Sequence, residues 1–238
     1  MTAERFLRAY NRIDDYLRGL MDIDRTRYGF ASVVDQAAKR YSVVRRYADD
    51  LKEFGALRNA IVHDKEFPAR IIADPRPEVV EAIERLADII LDPPRVYPLF
   101  GREVRRLSWD DPIAKPLRWI REYHYTQFPV YRERRFAGLL TSRCVAQWLA
   151  DSVHNGGVEF GGVTVGDVLR HDEYEGRRVV FVARDATWYD AVELLSPAKG
   201  KRRASLEAIL ITASGRDDEE LLGIITPRDL LHPPAGVS

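Results

Sequence analysis

The sequence predicts an α+β protein in which an N-terminal bundle of α-helices precedes two units of strand, helix, strand, strand and helix. Apolar residues recur at helical spacing through the first ninety residues. After Asp92-Pro93-Pro94, short β-rich runs alternate with short helices. A seven-residue pattern, predicted to end an apolar strand and to begin a helix, also occurs twice. Its copies are Gly138-Leu139-Leu140-Thr141-Ser142-Arg143-Cys144 and Gly223-Ile224-Ile225-Thr226-Pro227-Arg228-Asp229.

Four helical segments are predicted before the Pro-Pro break. The first has its apolar positions from Phe6 to Met21, and the second covers residues 30–38. The third has its apolar positions from Val44 to Phe54, and the second segment could be continuous with it. The fourth covers residues 77–91, because proline is tolerated in the first turn of a helix and the Pro-Pro sequence stops it.

The second half of the chain is predicted to contain two hairpins. Each is preceded by a helix candidate and followed by the helix that begins at the repeated threonine. The helix candidates are residues 112–123 and 187–195, and the paired strands are 127–131 with 136–141 and 206–212 with 221–226. This organisation predicts three domains, at residues 1–92, 95–155 and 160–233.

Composition narrows the class of protein. The 238 residues include 37 Lys and Arg and 37 Asp and Glu, so no global field recruits nucleic acid and any basic surface must be local. The single cysteine, Cys144, excludes an internal disulfide. Met1 begins no signal-peptide pattern and no long apolar span occurs, so we expect a cytoplasmic protein without a membrane partner.

The repeated pattern has the chemistry of a nucleotide site. Its threonine caps the new helix, whose N–H groups and positive dipole end attract anions. In the second copy Pro227 takes the first helical position, and Asp229 follows where its carboxylate can accept both hydroxyls of a ribose. Thr226 for phosphate and Asp229 for ribose therefore predict a nucleotide. The alternative is that Thr226 is only an N-cap, which contributes about 1 kcal/mol to helix stability and binds nothing.

Residues 95–232 resemble a tandem pair of cystathionine-β-synthase (CBS) domains. The resemblance rests on Gln127-Phe128-Pro129-Val130, on Val163-Thr164-Val165-Gly166-Asp167-Val168-Leu169 and, most specifically, on the second copy of the repeated pattern. It implies an adenine nucleotide (AMP, ADP or ATP) as a regulatory ligand bound between two pseudo-symmetric units, and no cofactor that is required. A cyclic dinucleotide or S-adenosylmethionine offers the same adenosine group.

The CBS resemblance also implies roles for single residues. Thr226 and Asp229 would hold phosphate and ribose, and Thr164 would lie near the base. Thr141 is the candidate of the first copy that corresponds to Thr226, and Arg228 either reaches a phosphate or stays a solvated charge. The single cysteine replaces the aspartate of the first copy and cannot accept ribose hydroxyls as a carboxylate does. We therefore expect one strong nucleotide site, at the second copy.

A second polar constellation lies at the predicted end of the third helix. Asn59 and His63 are four residues apart and are predicted to share a helical face, with Arg58 about 100° to one side. A guanidinium can clamp a phosphate and an imidazole can move a proton near neutral pH, which suits phosphodiester chemistry. The alternative is structural, in that Arg58 pairs with Glu53 or Asp50 and His63 interacts with the helix dipole.

An arginine, a polar residue and a histidine at this spacing, in a small helical bundle, resemble the HEPN family (higher eukaryotes and prokaryotes nucleotide-binding). The resemblance implies a metal-independent ribonuclease that acts on RNA as a homodimer, with Arg58 on the scissile phosphate, His63 in proton transfer and Asn59 orienting both. No Cys, His or carboxylate cluster has metal-ligand spacing. Two functions are predicted: a ribonuclease adjusted by adenine nucleotide, or a non-enzymatic nucleotide sensor that signals to a partner protein through the helical bundle.

Overall fold

Two units make up the chain. The structure is a computed structural model that describes residues 2–25, 27–63, 70–154, 157, 160–171, 178–196 and 206–231, with only the backbone of residues 63 and 70. The helical unit is Met1–Pro94 with Thr187–Glu193, and the strand–helix unit is Arg95–Ala186 with Leu194–Ser238. The fold is mixed α+β, with helices in the N-terminal region and strand–helix units towards the C-terminus.

The N-terminal region is helical, as predicted. Its elements are α1 (Thr2–Met21), α2 (Phe30–Ala38), α3 (Ser42–Arg46), α4 (Ala48–Ile61), the antiparallel strands β1 (Val62–His63) and β2 (Arg70–Ile71), and α5 (Pro77–Leu91). The predicted third helix is divided into α3 and α4, because Tyr47 leaves helical geometry at φ −110° and ψ 19°. The second predicted helix ends at Ala38 and does not continue into α3.

The apolar faces of α1, α4 and α5 form the core of the helical unit. Their fully buried side chains are Phe6, Ile13, Leu17, Leu51, Ile61, Ile83 and Ile90. Burial of a large apolar side chain contributes about 1.5–3 kcal/mol, so these contacts dominate the stability of the unit. At its edge, Arg5 donates hydrogen bonds of 3.0 and 2.7 Å to Glu84.

Across the described residues, no helix has the length and apolar character that a membrane crossing needs.

The second half of the chain contains two three-stranded sheets with the same topology. The elements after α5 are α6 (Val96–Leu99), β3 (Leu107–Ser108), α7 (Ala114–Tyr123), β4 (Gln127–Arg132), β5 (Arg135–Thr141), α8 (Ser142–His154), α9 (Val165–Leu169), β6 (Val179–Ala183), α10 (Trp188–Leu195), β7 (Ala208–Thr212), β8 (Gly223–Ile225) and α11 (Pro227–Leu231). The strand orders are β3-β4-β5 and β6-β7-β8, and in each sheet the first pair is parallel and the second antiparallel. Both predicted hairpins are confirmed.

The two sheets exchange flanking segments. Val165 of α9, which follows the first sheet in sequence, is buried in the core of that sheet. In the other direction, Gly101, which precedes the first sheet, pairs with Gly223 of the second. Leu139 of the first sheet also packs in one cluster with Leu210 of the second. The two sheets therefore form one folded body rather than two separate ones.

One helix of the helical unit comes from the far end of the sequence. Residues Thr187–Glu193, which include most of α10, belong to the helical unit. Ser42, the first residue of α3, donates a 2.5 Å hydrogen bond to Asp190, and the ring of Tyr47 lies 5.8 Å from that of Tyr189. Periodicity predicts the helix correctly but does not reveal which partner its buried face will meet.

Replacing Gly223 by alanine should destabilise the strand–helix unit. A Cβ at this position would lie 2.2 Å from the carbonyl oxygen of Phe100, which is backbone, so the sheet edge would have to move. Overpacking of this kind costs about 1–3 kcal/mol, which urea unfolding would measure. Gly19→Ala is the control: apart from the adjoining backbone of α1, no atom of the described residues lies within 4 Å of the added Cβ, and we expect a gain of about 0.5–1 kcal/mol there. Wild-type stability of Gly223→Ala would contradict the close approach.

Candidate functional site

The second copy of the repeated pattern forms a closed hydrogen-bonded ring. Thr226 follows β8 and precedes α11. Its backbone N–H and its Oγ1 hydroxyl both donate to Oδ2 of Asp229, over 2.7 and 2.8 Å. Because a carboxylate only accepts hydrogen bonds, the hydroxyl is the donor and its lone pairs can accept a further bond. Thr226 and Asp229 therefore present oxygen acceptors, which suit the hydroxyls of a sugar better than the oxygens of a phosphate.

A cation stands beside this ring. Nη2 of Arg102 lies 3.7 Å from Oδ2 of Asp229 and donates a 2.9 Å hydrogen bond to the carbonyl of Ile224. The side chains of Asp229 and Arg102 are 20% and 50% exposed, so a ligand in solvent can reach both. Arg228, the phosphate candidate of the sequence, is exposed on α11. Sequence reasoning missed Arg102, because it reaches the motif only through the exchanged segment.

The ring of threonine and aspartate recurs at two other helix starts. Thr164 donates to Oδ2 of Asp167 over 2.9 and 2.7 Å, and Thr187 donates to Asp190 over 2.8 and 2.7 Å. The backbone and hydroxyl bonds from Thr164 hold the pKa of Asp167 below its usual range. Thr164 caps α9 in the core of the first sheet, whereas Thr226 ends a strand of the second. The backbone N–H groups of Asp167 and Asp190 also donate to the threonine Oγ1 over 3.2 Å, so capping alone explains the local geometry of those two rings. The backbone N–H of Asp229 donates instead to the carbonyl of Thr226 over 2.9 Å.

The first copy of the pattern has a thiol in place of the carboxylate. Oγ1 of Thr141 accepts a 3.1 Å hydrogen bond from the backbone N–H of Cys144 and lies 3.1 Å from its Sγ. Thr141 and Cys144 are only 6% and 2% exposed. In both copies a hydrogen bond joins residues three apart, but its donor is Cys144 in the first copy and Thr226 in the second, and the second copy alone offers a carboxylate to solvent.

A cleft of about 400 Å³ brings the two copies together. Thr141 and Arg143 line it from the first copy and Pro227 lines it from the second. Gln127 donates from Nε2 to the carbonyl of Glu207 over 2.9 Å, while its Oε1 is buried and accepts no hydrogen bond from the described residues. An unmatched buried acceptor is costly, so a donor from a ligand or from solvent would be stabilised there. The sequence names Gln127 only as a family marker and does not reveal this contact.

The structure corrects the helical face that the sequence predicts for Asn59 and His63. The helix α4 ends at Ile61, and Val62 is extended at φ −116° and ψ 124°. His63 therefore does not share a helical face with Asn59, and that prediction is wrong because pairing of β1 with β2 takes up backbone groups that a longer helix would use. Nη1 of Arg58 donates to Oδ1 of Asn59 over 3.2 Å. The side chain of His63 lies outside the described residues, so the convergence of the three groups stays a prediction.

Within the described ranges, no cluster of three or more His, Cys, Asp or Glu side chains could hold a metal ion.

A known domain family matches the C-terminal part of the chain. Residues 165–235 match the family described as CBS domain. The match begins at α9 and includes Thr226 and Asp229. A search of curated proteins finds no match.

Solved structures of CBS proteins are similar to somewhat more than half of the chain. A CBS-domain protein of Thermoplasma acidophilum is 18% identical over 60% of this chain and 70% of its own, with a TM-score of 0.42. One of Streptococcus pneumoniae is 15% identical over 55% and 74%, with a TM-score of 0.39. CBSX2, solved in complex with AMP, is 18% identical over 58% and 94%, with a TM-score of 0.39.

Proposed function

We propose that this protein senses an adenine nucleotide through its strand–helix unit and passes that state to its helical unit. The observation that carries the proposal is the Thr226–Asp229 ring at the end of β8, within the residues that match the CBS-domain family. The resemblance of residues 95–232 to a CBS pair supplies the ligand class, which is AMP, ADP or ATP. In this proposal residues 95–155 and 160–233 form the sensory pair, and residues 1–92 form the output domain.

In this proposal, the oxygen acceptors of the second copy bind the sugar of a nucleotide, and the arginines near them bind its phosphate. Asp229 and Thr226 supply acceptors for the two ribose hydroxyls, because the threonine proton is already donated to the carboxylate. Arg102, which lies beside that carboxylate, supplies a cation for the phosphate, and Arg228 is a second candidate for this contact. Guanidinium groups bind phosphate more strongly than a neutral hydroxyl does. We therefore assign both Thr226 and Asp229 to the sugar.

Asp229→Ala should weaken nucleotide binding by about 10- to 150-fold, because a hydrogen bond to a charged group contributes about 1.5–3 kcal/mol. Isothermal titration calorimetry with AMP, ADP and ATP would measure the change. Asp167→Ala removes the carboxylate of the same kind of ring at Thr164, so it should lose helix stability and keep its affinity. If Asp167→Ala loses as much affinity as Asp229→Ala, Thr164 lies at the ligand. If Asp229→Ala binds nucleotide with wild-type affinity, the proposal is contradicted.

Cys144→Asp should give the first copy a nucleotide site of its own. Thr141 and Arg143 line the cleft, whereas Cys144 is 2% exposed, so the new carboxylate has to turn from the core towards the cleft to supply the acceptor that the thiol lacks. Titration should show one strong site per chain in the wild type and a second one in the variant. Cys144→Ser, which adds a hydroxyl without a charge, should keep a single strong site. Two equivalent nucleotides per wild-type chain would refute the asymmetry between the copies.

The course of the chain supports a route from ligand to output. The helix α10 follows β6 of the second sheet in sequence, while residues Thr187–Glu193 are packed within the helical unit. A nucleotide that binds two arrangements of the sheets with different affinities shifts their populations, and α10 carries the difference. We also propose a homodimer, since the CBS and HEPN resemblances both imply self-association.

A ribonuclease activity of the helical unit is the second candidate function, and the contact of Arg58 with Asn59 favours it. The contact orients a guanidinium that can clamp the scissile phosphate of RNA. His63 would take the proton of the ribose 2′-hydroxyl, whose oxygen attacks phosphorus, while the bond from phosphorus to the 5′-oxygen breaks and that oxygen takes a proton from solvent water. Without this activity, the helical unit signals to a partner protein as a non-enzymatic output.

His63→Ala should abolish detectable RNA cleavage, because loss of a positioned acid–base group costs about 10²–10⁴-fold in rate. Gel analysis of an end-labelled RNA should show products with a cyclic or terminal phosphate, and wild-type activity should survive a chelator. His171→Ala is the control, since His171 is an exposed histidine 3.4 Å from Asp151. Cleavage that persists unchanged in purified His63→Ala would come from a contaminant and would leave the non-enzymatic sensor.

A further inference from the structure

An exposed aromatic surface lies at the C-terminal end of α7. Tyr123 and Tyr125 are 44% and 46% exposed, and their ring centroids are 5.7 Å apart with planes inclined by 25°. Trp119 lies one turn earlier on α7 and is half-buried. We call Arg105, Trp119, Tyr123 and Tyr125 the aromatic face. None of them belongs to the proposed nucleotide site.

The backbone at His124 brings the two tyrosine rings together. His124 ends α7 in the left-handed region, at φ 57° and ψ 25°, which residues other than glycine rarely adopt. The rings of Tyr125 and Trp119 pack against Phe128, which is 1% exposed, with centroid distances of 6.4 and 5.9 Å. The face is therefore held in place by the core, and a ligand that stacks on it would order few side chains.

A cation lies over these rings. The guanidinium carbon of Arg105 is 4.4 Å from the ring centroid of Tyr123 and 5.3 Å from that of Trp119. Lys115 also lies 5.3 Å from Trp119, but it is paired with Asp111 at 2.7 Å. Arg105 has no ion pair with any carboxylate of the described residues. Its charge is thus available to an anion from outside.

The surroundings of the face are basic, although the chain as a whole is neutral. Residues 102–135 contain nine Lys and Arg against five Asp and Glu, whereas the whole chain has 37 of each. Arg106, Arg118 and Arg121 are exposed next to the face in sequence, and Glu122 is the acidic residue among them on α7. The composition of the chain requires any basic surface to be local, and this stretch supplies one.

We propose that the aromatic face binds single-stranded RNA, with bases stacked on Tyr123 and Tyr125 and a phosphate on Arg105. Base stacking on aromatic rings is tolerant of sequence, and guanidinium groups pair with phosphate, so rings and cations together fit a single strand. A protein partner would favour a core depleted of charge, whereas here the cation lies over the rings. The choice of RNA rests on the proposed ribonuclease, for which the face would hold substrate.

Fluorescence anisotropy of a labelled uridine dodecamer, with the full chain and saturating ATP to occupy the nucleotide site, tests the proposal. Tyr123→Ala and Tyr125→Ala should each weaken binding by about 5- to 150-fold, and Tyr123→Phe, which keeps the ring, should bind like the wild type. Arg105→Ala should lower the slope of log affinity against log salt by about 0.7. Tyr28→Ala is the matched control, a tyrosine 38% exposed with Arg27 at 5.7 Å from its ring, and it should keep wild-type affinity.

Wild-type affinity of Tyr123→Ala, an equal loss in Tyr123→Phe, or no binding by the wild type would overturn the proposal. Sedimentation that shows a changed oligomeric state with unchanged RNA affinity would assign the face to a protein contact and overturn it as well. If Tyr123→Ala is unstable, Tyr123→Leu replaces it, because leucine keeps the apolar contact without a ring. Wild-type RNA affinity of Tyr123→Leu would overturn the proposal. If RNA binding depends on the tyrosine rings but the protein does not cleave RNA, the aromatic face is an RNA-binding site and the proposed ribonuclease activity is wrong. Failure of the binding proposal can therefore be told apart from failure of the ribonuclease proposal.

Discussion

The hydrogen-bonded ring between a threonine and the aspartate three residues later is the interaction on which the second half of the chain depends. It starts α9, α10 and α11, and in each case one carboxylate oxygen accepts both the backbone N–H and the hydroxyl of the threonine. A helix start leaves backbone donors unpaired, and the ring orients the residues that meet them. The proposed sugar contact uses the same oxygens, so binding is added to a structural element that the fold already requires.

The exchange of segments decides what surrounds that ring at α11. Arg102 precedes the first sheet in sequence, yet it lies beside Asp229 because its segment joins the second sheet. The pairing of Gly101 with Gly223 holds this segment, and the approach of the Phe100 carbonyl leaves no room for a side chain at Gly223. The glycine of the motif is therefore explained by packing, and the aspartate by the two hydrogen bonds that it accepts from Thr226.

The helical unit and the aromatic face show how local geometry limits a functional reading. The spacing of Arg58, Asn59 and His63 suggests a shared face only while the helix continues, and α4 ends two residues before His63. At Tyr123 and Tyr125 the reverse occurs. Side chains two residues apart on a helix do not face each other, but the left-handed conformation of His124 places the rings of Tyr123 and Tyr125 in a stacked pair.

The sequence by itself determined the α+β class, the helical N-terminal region, both hairpins and the helix that begins after Thr226, whereas the break at Tyr47 and the cap at Thr164 were not predicted. The predicted features depend on residues within about four positions of one another, where periodicity and capping act. Only the tertiary structure decided that α10 packs in the helical unit, that Arg102 accompanies Asp229 and that Gln127 faces a cleft shared by both motifs. Such choices follow from which buried faces fit together and which backbone groups find partners across the chain, and neither is encoded in the spacing of neighbours.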